Sequence, residues 1–183
     1  RASTFGVRAE GVSFDITAMV RRSRKIALRL NKGISHLLKK NEVSVFDGHG
    51  QLVGSTAGAH NIIITAEGEE VAKLTAQHVI LATGGRASGL KGLEPDGHLV
   101  WTYKEAMVPK VVPKSLLVVV SGAIGIEFAS FYCDLGVDVT VVEILPRILP
   151  FEDEEISAFA LRAFKKQGMV VHTGGSVTNV KKG

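Results

Sequence analysis

One cysteine, Cys133, occurs among the 183 residues. Alone it can form no internal disulfide, no Cys-x-x-Cys redox pair and no thiolate metal cluster, so its plainest role is a structural thiol. The histidines, His36, His49, His60, His78, His98 and His172, show no ligand spacing, and no metal site is expected. No apolar run reaches the roughly 18 residues of a membrane span, and no signal peptide opens the chain. These absences argue against a membrane protein and for the cytoplasm or a mitochondrial matrix. Polar aromatics are scarce: Trp101, Tyr103 and Tyr132, none of them among the basic residues. The aromatic interleaving by which single-stranded nucleic acid is held is therefore missing.

Acid is absent from residues 21–40, although Arg21, Arg22, Arg24, Lys25, Arg29, Lys32, Lys39 and Lys40 all lie there. The net charge of +4 is mostly this local excess. Met19, Ile26, Leu30, Ile34 and Leu37 recur at helical spacing through the same stretch. The spacing predicts an amphipathic helix capped by Asp15, docked on its apolar side, with a solvated basic face. A nucleic-acid or membrane-surface helix is the alternative.

Beyond this helix, residues 41–54 alternate and turn at Gly48 and Gly50, reading as strand, turn, short strand. "NIIITAEGEEVAKL" reads as a hairpin turning at Glu67–Gly68–Glu69, and "HVILATGG" as a strand buried on both faces. Residues 86–114 look like a linker and hold Pro95, Pro109 and Pro113. After it the pattern becomes strand 116–120, helix 123–135, strand 137–142, helix 153–167, strand 169–172 and a fourth strand over 176–180. That order predicts an α/β fold with a Rossmann-like parallel sheet and right-handed crossovers.

"SLLVVVSGAIGIEF" joins the first of these strands to its helix through a glycine turn. A helix N-terminus offers unpaired N–H groups and partial positive charge, and a pyrophosphate can rest there if no side chain intervenes. In G-x-G-x-x-G terms Gly122 admits the phosphate and Gly125 admits close helix–strand packing, but Val120 stands where the first glycine makes the turn. Glu143 follows the second strand, eighteen positions after Gly125, near the ~20 expected of the acid that accepts from ribose hydroxyls. A carboxylate there favours NAD over NADP; the nearby Arg147 weakens that preference. Val120 at positive φ would carry roughly 1–3 kcal/mol of strain. At negative φ it would carry none.

"LLVVVSGAIGIEFASFYCDLGVDVTVVEILPRILP" resembles the NAD-binding segment of the dihydrolipoyl dehydrogenases, within the pyridine nucleotide-disulfide oxidoreductases. "GLEPDGHLVWTYKEAMVPKVVPKSL", "FEDEEISAFALRAFKKQGMVVHTGGSVTNVKK" and "HVILATGGRA" extend the resemblance over nearly the whole chain, with alphaproteobacterial members nearest. The resemblance implies a pyrophosphate cradle at Ser121, Gly122, Ala123, Ile124 and Gly125, and Glu127 beside the nicotinamide. It implies Glu143 on the adenosine ribose and Val177 against the adenine. For FAD it implies Thr83, Gly84 and Gly85 at the flavin-domain turn and Gly50 as a backbone contact.

It further implies residues 1–88 as part of an FAD-binding domain joined to an NAD domain, truncated at its C-terminal end, over residues 89–183. The family's first FAD cradle, its cysteine pair and its His-Glu pair have no counterpart here. No catalytic residue is therefore expected in this chain, which reads as a central fragment, inactive alone, with an incomplete FAD site. Lys104 in place of an aromatic, and the missing proline after Arg86, are further departures. Lipoyl domains of 2-oxo-acid dehydrogenase complexes are the implied partners, and open strand edges predict self-association. A nucleotide-binding module without turnover is the alternative function.

Overall fold

The computed structural model describes residues 5–8 and 10–178. They form two compact units: residues 23–86, and the described residues of 87–178 together with those of 5–22.

The long helix α1 is Ile16–Lys40. Asp15 caps it as expected, Oδ1 accepting from the N–H groups of Thr17 and Ala18 at 2.8 and 3.2 Å. The apolar stripe is not docked: Met19, Ile26, Leu30, Ile34 and Leu37 are all exposed. Amphipathic spacing shows that a helix has a side to cover. It does not show that the cover lies in the same chain.

Three antiparallel strands follow, β1 His49–Thr56, β2 Ala59–Ala66 and β3 Glu69–Ala76, in the order β1-β2-β3. Both connections are two-residue turns with positive φ at each position, Ala57 (51°) with Gly58 (82°), and Glu67 (53°) with Gly68 (88°). That is the hairpin geometry whose twist matches the strands. The turn at Glu67–Gly68 matches the reading from sequence. The earlier turn does not: it lies at Ala57–Gly58, while Gly48 and Gly50 lie at and just inside the start of β1. Gly48 must lack a side chain, because a Cβ there would stand 2.6 Å from the Thr65 carbonyl.

Two expected strands are absent from this unit. Residues 43–47 and 78–85 are irregular, and Val45, Phe46, Ile80 and Leu81 are exposed. A strand that is buried on both faces needs paired neighbours for its backbone and cover for its side chains. Neither is present for these two runs among the described residues.

The second unit is a parallel sheet, β4 Ser115–Val119, β5 Asp138–Glu143 and β6 Val170–Thr173, in the order β4-β5-β6. The crossovers are α3 Ala123–Asp134 and α4 Glu154–Gln167. Asp153 caps α4 through Glu155 and Ile156, and Gly168 ends it at φ 113°. The core is Ile126, Ala129 and Tyr132 from α3, Val139 and Val141 from β5, with Val137, Ile148 and Met169 beside them. The expected fourth strand does not form over 176–178; residues 179 and 180 lie outside the described residues.

The proline-rich stretch before β4 is no free linker. It carries the short helix α2, Tyr103–Met107, closed by a Thr102–Glu105 capping box. Trp101, Ala106 and Val112 pack on the core, and the Tyr132 hydroxyl donates to the Ala106 carbonyl at 2.8 Å. No helix among the described residues is long and apolar enough to cross a membrane.

Candidate functional site

The site lies where ligands bind in parallel α/β sheets, at the carboxyl ends of the strands. After β4 the chain turns through Val120 and Ser121 into Gly122, the N-cap of α3. No side chain caps this helix. Its first N–H groups are thus left for another acceptor. A Cβ built on Gly122 meets nothing within 4 Å, so the space before the helix tip is open. A Cβ on Gly125 would stand 2.4 Å from the Val120 carbonyl. The two glycines do separate work: Gly122 leaves room for a ligand, and Gly125 lets helix and strand touch.

Val120 has φ 81°. The turn keeps the conformation in which glycine is unstrained, with a β-branched residue in it. The strain expected of that case therefore applies. Its N–H donates to the Val142 carbonyl at 2.9 Å, continuing the β4–β5 ladder and holding the residue in place. The Ser121 carbonyl accepts from Leu149 N–H at 3.0 Å, which ties the turn to the loop after β5.

Glu143, the last residue of β5, is only 2% exposed. Its Oε2 accepts from the Ser121 N–H at 2.8 Å and from the Ser121 hydroxyl at 2.7 Å. Its Oε1 accepts from Leu145 N–H at 2.9 Å. Burial pushes the carboxyl up, but the N–H groups of Leu145, Ser121 and Ile144 and the Ser121 hydroxyl outweigh it and hold the group below its ordinary 4.5. It is an anion, buried because it is hydrogen-bonded. The Gly175 N–H donates to the Glu143 carbonyl at 3.1 Å, and Val177 follows two residues on, half-buried. Arg147 is occupied within its own loop, donating to the Pro150 carbonyl at 3.2 Å and lying 3.8 Å from the Glu154 carboxylate.

The structure thus brings Ser121, Gly122 and Glu143 together, with Ala123, Ile124 and Gly125 opening α3. Glu127 lies exposed on α3, within the first turns past the cradle. In the other unit Gly50 is in β1 and residues 83–85 are exposed irregular chain, with Gly84 at φ 73°. These four form no cradle among the described residues. The Ser121 hydroxyl was missed from sequence. A serine in the turn signals nothing by spacing, since its partner is 22 residues away.

The sequence profile of the pyridine nucleotide-disulphide oxidoreductases matches residues 5–183. The chain belongs to that family. It is 46% identical to the dihydrolipoyl dehydrogenase of Rhizobium etli, over 98% of this chain and 40% of that one. With the dihydrolipoyl dehydrogenase of Zymomonas mobilis it shares 45% identity, over 98% of this chain and 38% of the other. Among solved structures, LpdA from Mycobacterium tuberculosis superposes with a TM-score of 0.86 at 28% identity, covering 97% of this chain and 38% of that one. This chain therefore spans about two fifths of the length of these relatives. The resemblance read from the glycine turn and its flanks, including its alphaproteobacterial leaning, agrees with these matches.

Proposed function

We propose that this chain is the nucleotide-handling part of a dihydrolipoyl dehydrogenase, with an NAD site in residues 89–183 and part of an FAD-binding domain in residues 1–88. The observation that carries the reading is the pairing of an uncapped helix tip at Gly122 with a buried, ionised Glu143 2.8 Å from the adjacent Ser121 N–H. In such an enzyme FAD takes electrons from a dithiol and NAD accepts the hydride.

The residues here do the holding. The N–H groups of Ala123, Ile124 and Gly125 face the pyrophosphate, with the helix dipole behind them. Glu143 accepts from the adenosine ribose and disfavours a 2′-phosphate. Val177 covers the adenine, and Glu127 stands toward the nicotinamide end. Gly50 and residues 83–85 contribute to FAD but need residues from elsewhere to enclose it. A single cysteine cannot provide a dithiol pair, so this chain is expected to bind without turning over. That same observation favours the second reading, a nucleotide-binding module without redox activity. Lipoyl domains and self-association are the expected partners, in the cytoplasm or a mitochondrial matrix.

Titration with NADH, read by its fluorescence, tests the site. Val120→Gly relieves the turn and should bind about 5- to 150-fold more tightly than the parent chain. Equal affinities would show that the strain does not reach the ligand. No binding by either protein would remove the nucleotide reading itself.

A further inference from the structure

The Ser121 hydroxyl is fully buried and spends its hydrogen on Glu143 Oε2, 2.7 Å away. The same oxygen already takes the Ser121 N–H at 2.8 Å. A carboxylate oxygen offers two lone-pair directions, so Oε2 is full. Oε1 takes Leu145 N–H at 2.9 Å. The Ile144 N–H favours the anion from nearby but makes no hydrogen bond to it among the described residues, so one direction stays open. A ribose diol brings two hydroxyl donors. While Ser121 holds its place, Glu143 can accept only one of them.

Deepening the NAD reading above, and resting on it, we propose that Ser121 sets the affinity and sugar selectivity of this site by occupying a Glu143 acceptor position that a vicinal diol would otherwise use. The competition is uneven. The Ser121 hydroxyl is part of the chain and is always present at the carboxylate. A second sugar hydroxyl must displace it, leaving a buried hydroxyl to find another acceptor. Ser121 is a positioning residue here, acting on the ligand through Glu143.

The test is calorimetric titration of the full chain with ADP, 2′-deoxy-ADP and 3′-deoxy-ADP. Ser121→Ala keeps the N–H bond to Oε2, removes the competitor and should bind ADP about tenfold more tightly, the worth of one hydrogen bond to a charged acceptor. In the parent chain one of the two deoxy compounds should bind within about twofold of ADP, because only one hydroxyl is accepted. In Ser121→Ala both deoxy compounds should lose about tenfold relative to ADP. ADP affinity unchanged or weakened by Ser121→Ala overturns the proposal. So does a parent chain that loses heavily with both deoxy compounds, an outcome that needs no variant to fold. Gly122→Val separates the two levels, since φ of −63° there accepts valine and its side chain would fill the space before the helix tip. ADP binding absent from the parent and Ser121→Ala alike, or untouched by Gly122→Val, overturns the site and the role of Ser121 together. Binding that Gly122→Val abolishes but Ser121→Ala does not improve overturns only the latter.

Discussion

The two units answer the same physical problem with unequal success. Residues 115–173 form a sheet with helical crossovers and bury a contiguous apolar cluster, from Ile126 to Met169. Residues 23–86 form a sheet of equal strand number, with every turn in good hairpin geometry, yet Ile64 is their only buried apolar residue among those described. The difference lies in how locally each can close. A β-α-β unit carries its own cover, because each helix packs back on the strands it connects. A three-stranded meander satisfies its backbone by hairpin pairing, but its faces need a partner from elsewhere. Hydrogen bonding makes the second sheet and burial makes the first.

Truncating one buried and one exposed side chain should break this comparison most plainly. Ile148→Ala, at a position with no exposure, should cost about 2–5 kcal/mol by urea denaturation. Leu30→Ala, in the uncovered stripe of α1, should stay within about 0.5 kcal/mol. A cost above that for Leu30 would mean that the stripe is covered in solution. Next in size, Gly125→Ala forces a Cβ against the Val120 carbonyl and should cost about 1–3 kcal/mol, melting residues 115–173 first. An unchanged melt would show that helix and strand can part without loss.

The smallest effect sharpens the contrast by pH. Glu143 titrates below its ordinary 4.5 in the folded chain. Its contribution to stability is therefore complete above 4.5 and is lost as pH falls through the lower folded value. Glu143→Gln should flatten that acid limb for the parallel-sheet unit and leave the antiparallel one unchanged. An acid limb that persists in Glu143→Gln would assign the slope to other carboxylates.

What could be read from sequence divides along the same line. The parallel-sheet elements were legible because their signals are local: Asp153 and Gly168 bracket α4, and Val139 and Val141 alternate toward α3. The hairpin at Glu67–Gly68 was legible from its turn chemistry. Residues 43–47 and 78–85 misled because apolar, β-prone stretches specify a strand only when neighbours exist to pair with it. At the site, Gly122, Gly125 and Glu143 announced themselves by spacing. The positive φ of Val120 and the hydroxyl bridge from Ser121 did not, since both are set by what the folded turn places nearby. The packing of the proline-rich stretch was hidden for a like reason: Thr102, Glu105 and Ala106 look like loop residues until the Thr102–Glu105 box closes and Tyr132 reaches the Ala106 carbonyl.

The bond from Leu149 N–H to the Ser121 carbonyl has a reach longer than its 3.0 Å. A peptide group is a rigid plate, so the oxygen of Ser121 and the amide hydrogen of Gly122 are opposite corners of one object. Pinning the oxygen to the loop beyond β5 fixes the bearing of that hydrogen. The aim of a donor at the mouth of the first crossover is thereby governed from the entrance of the second.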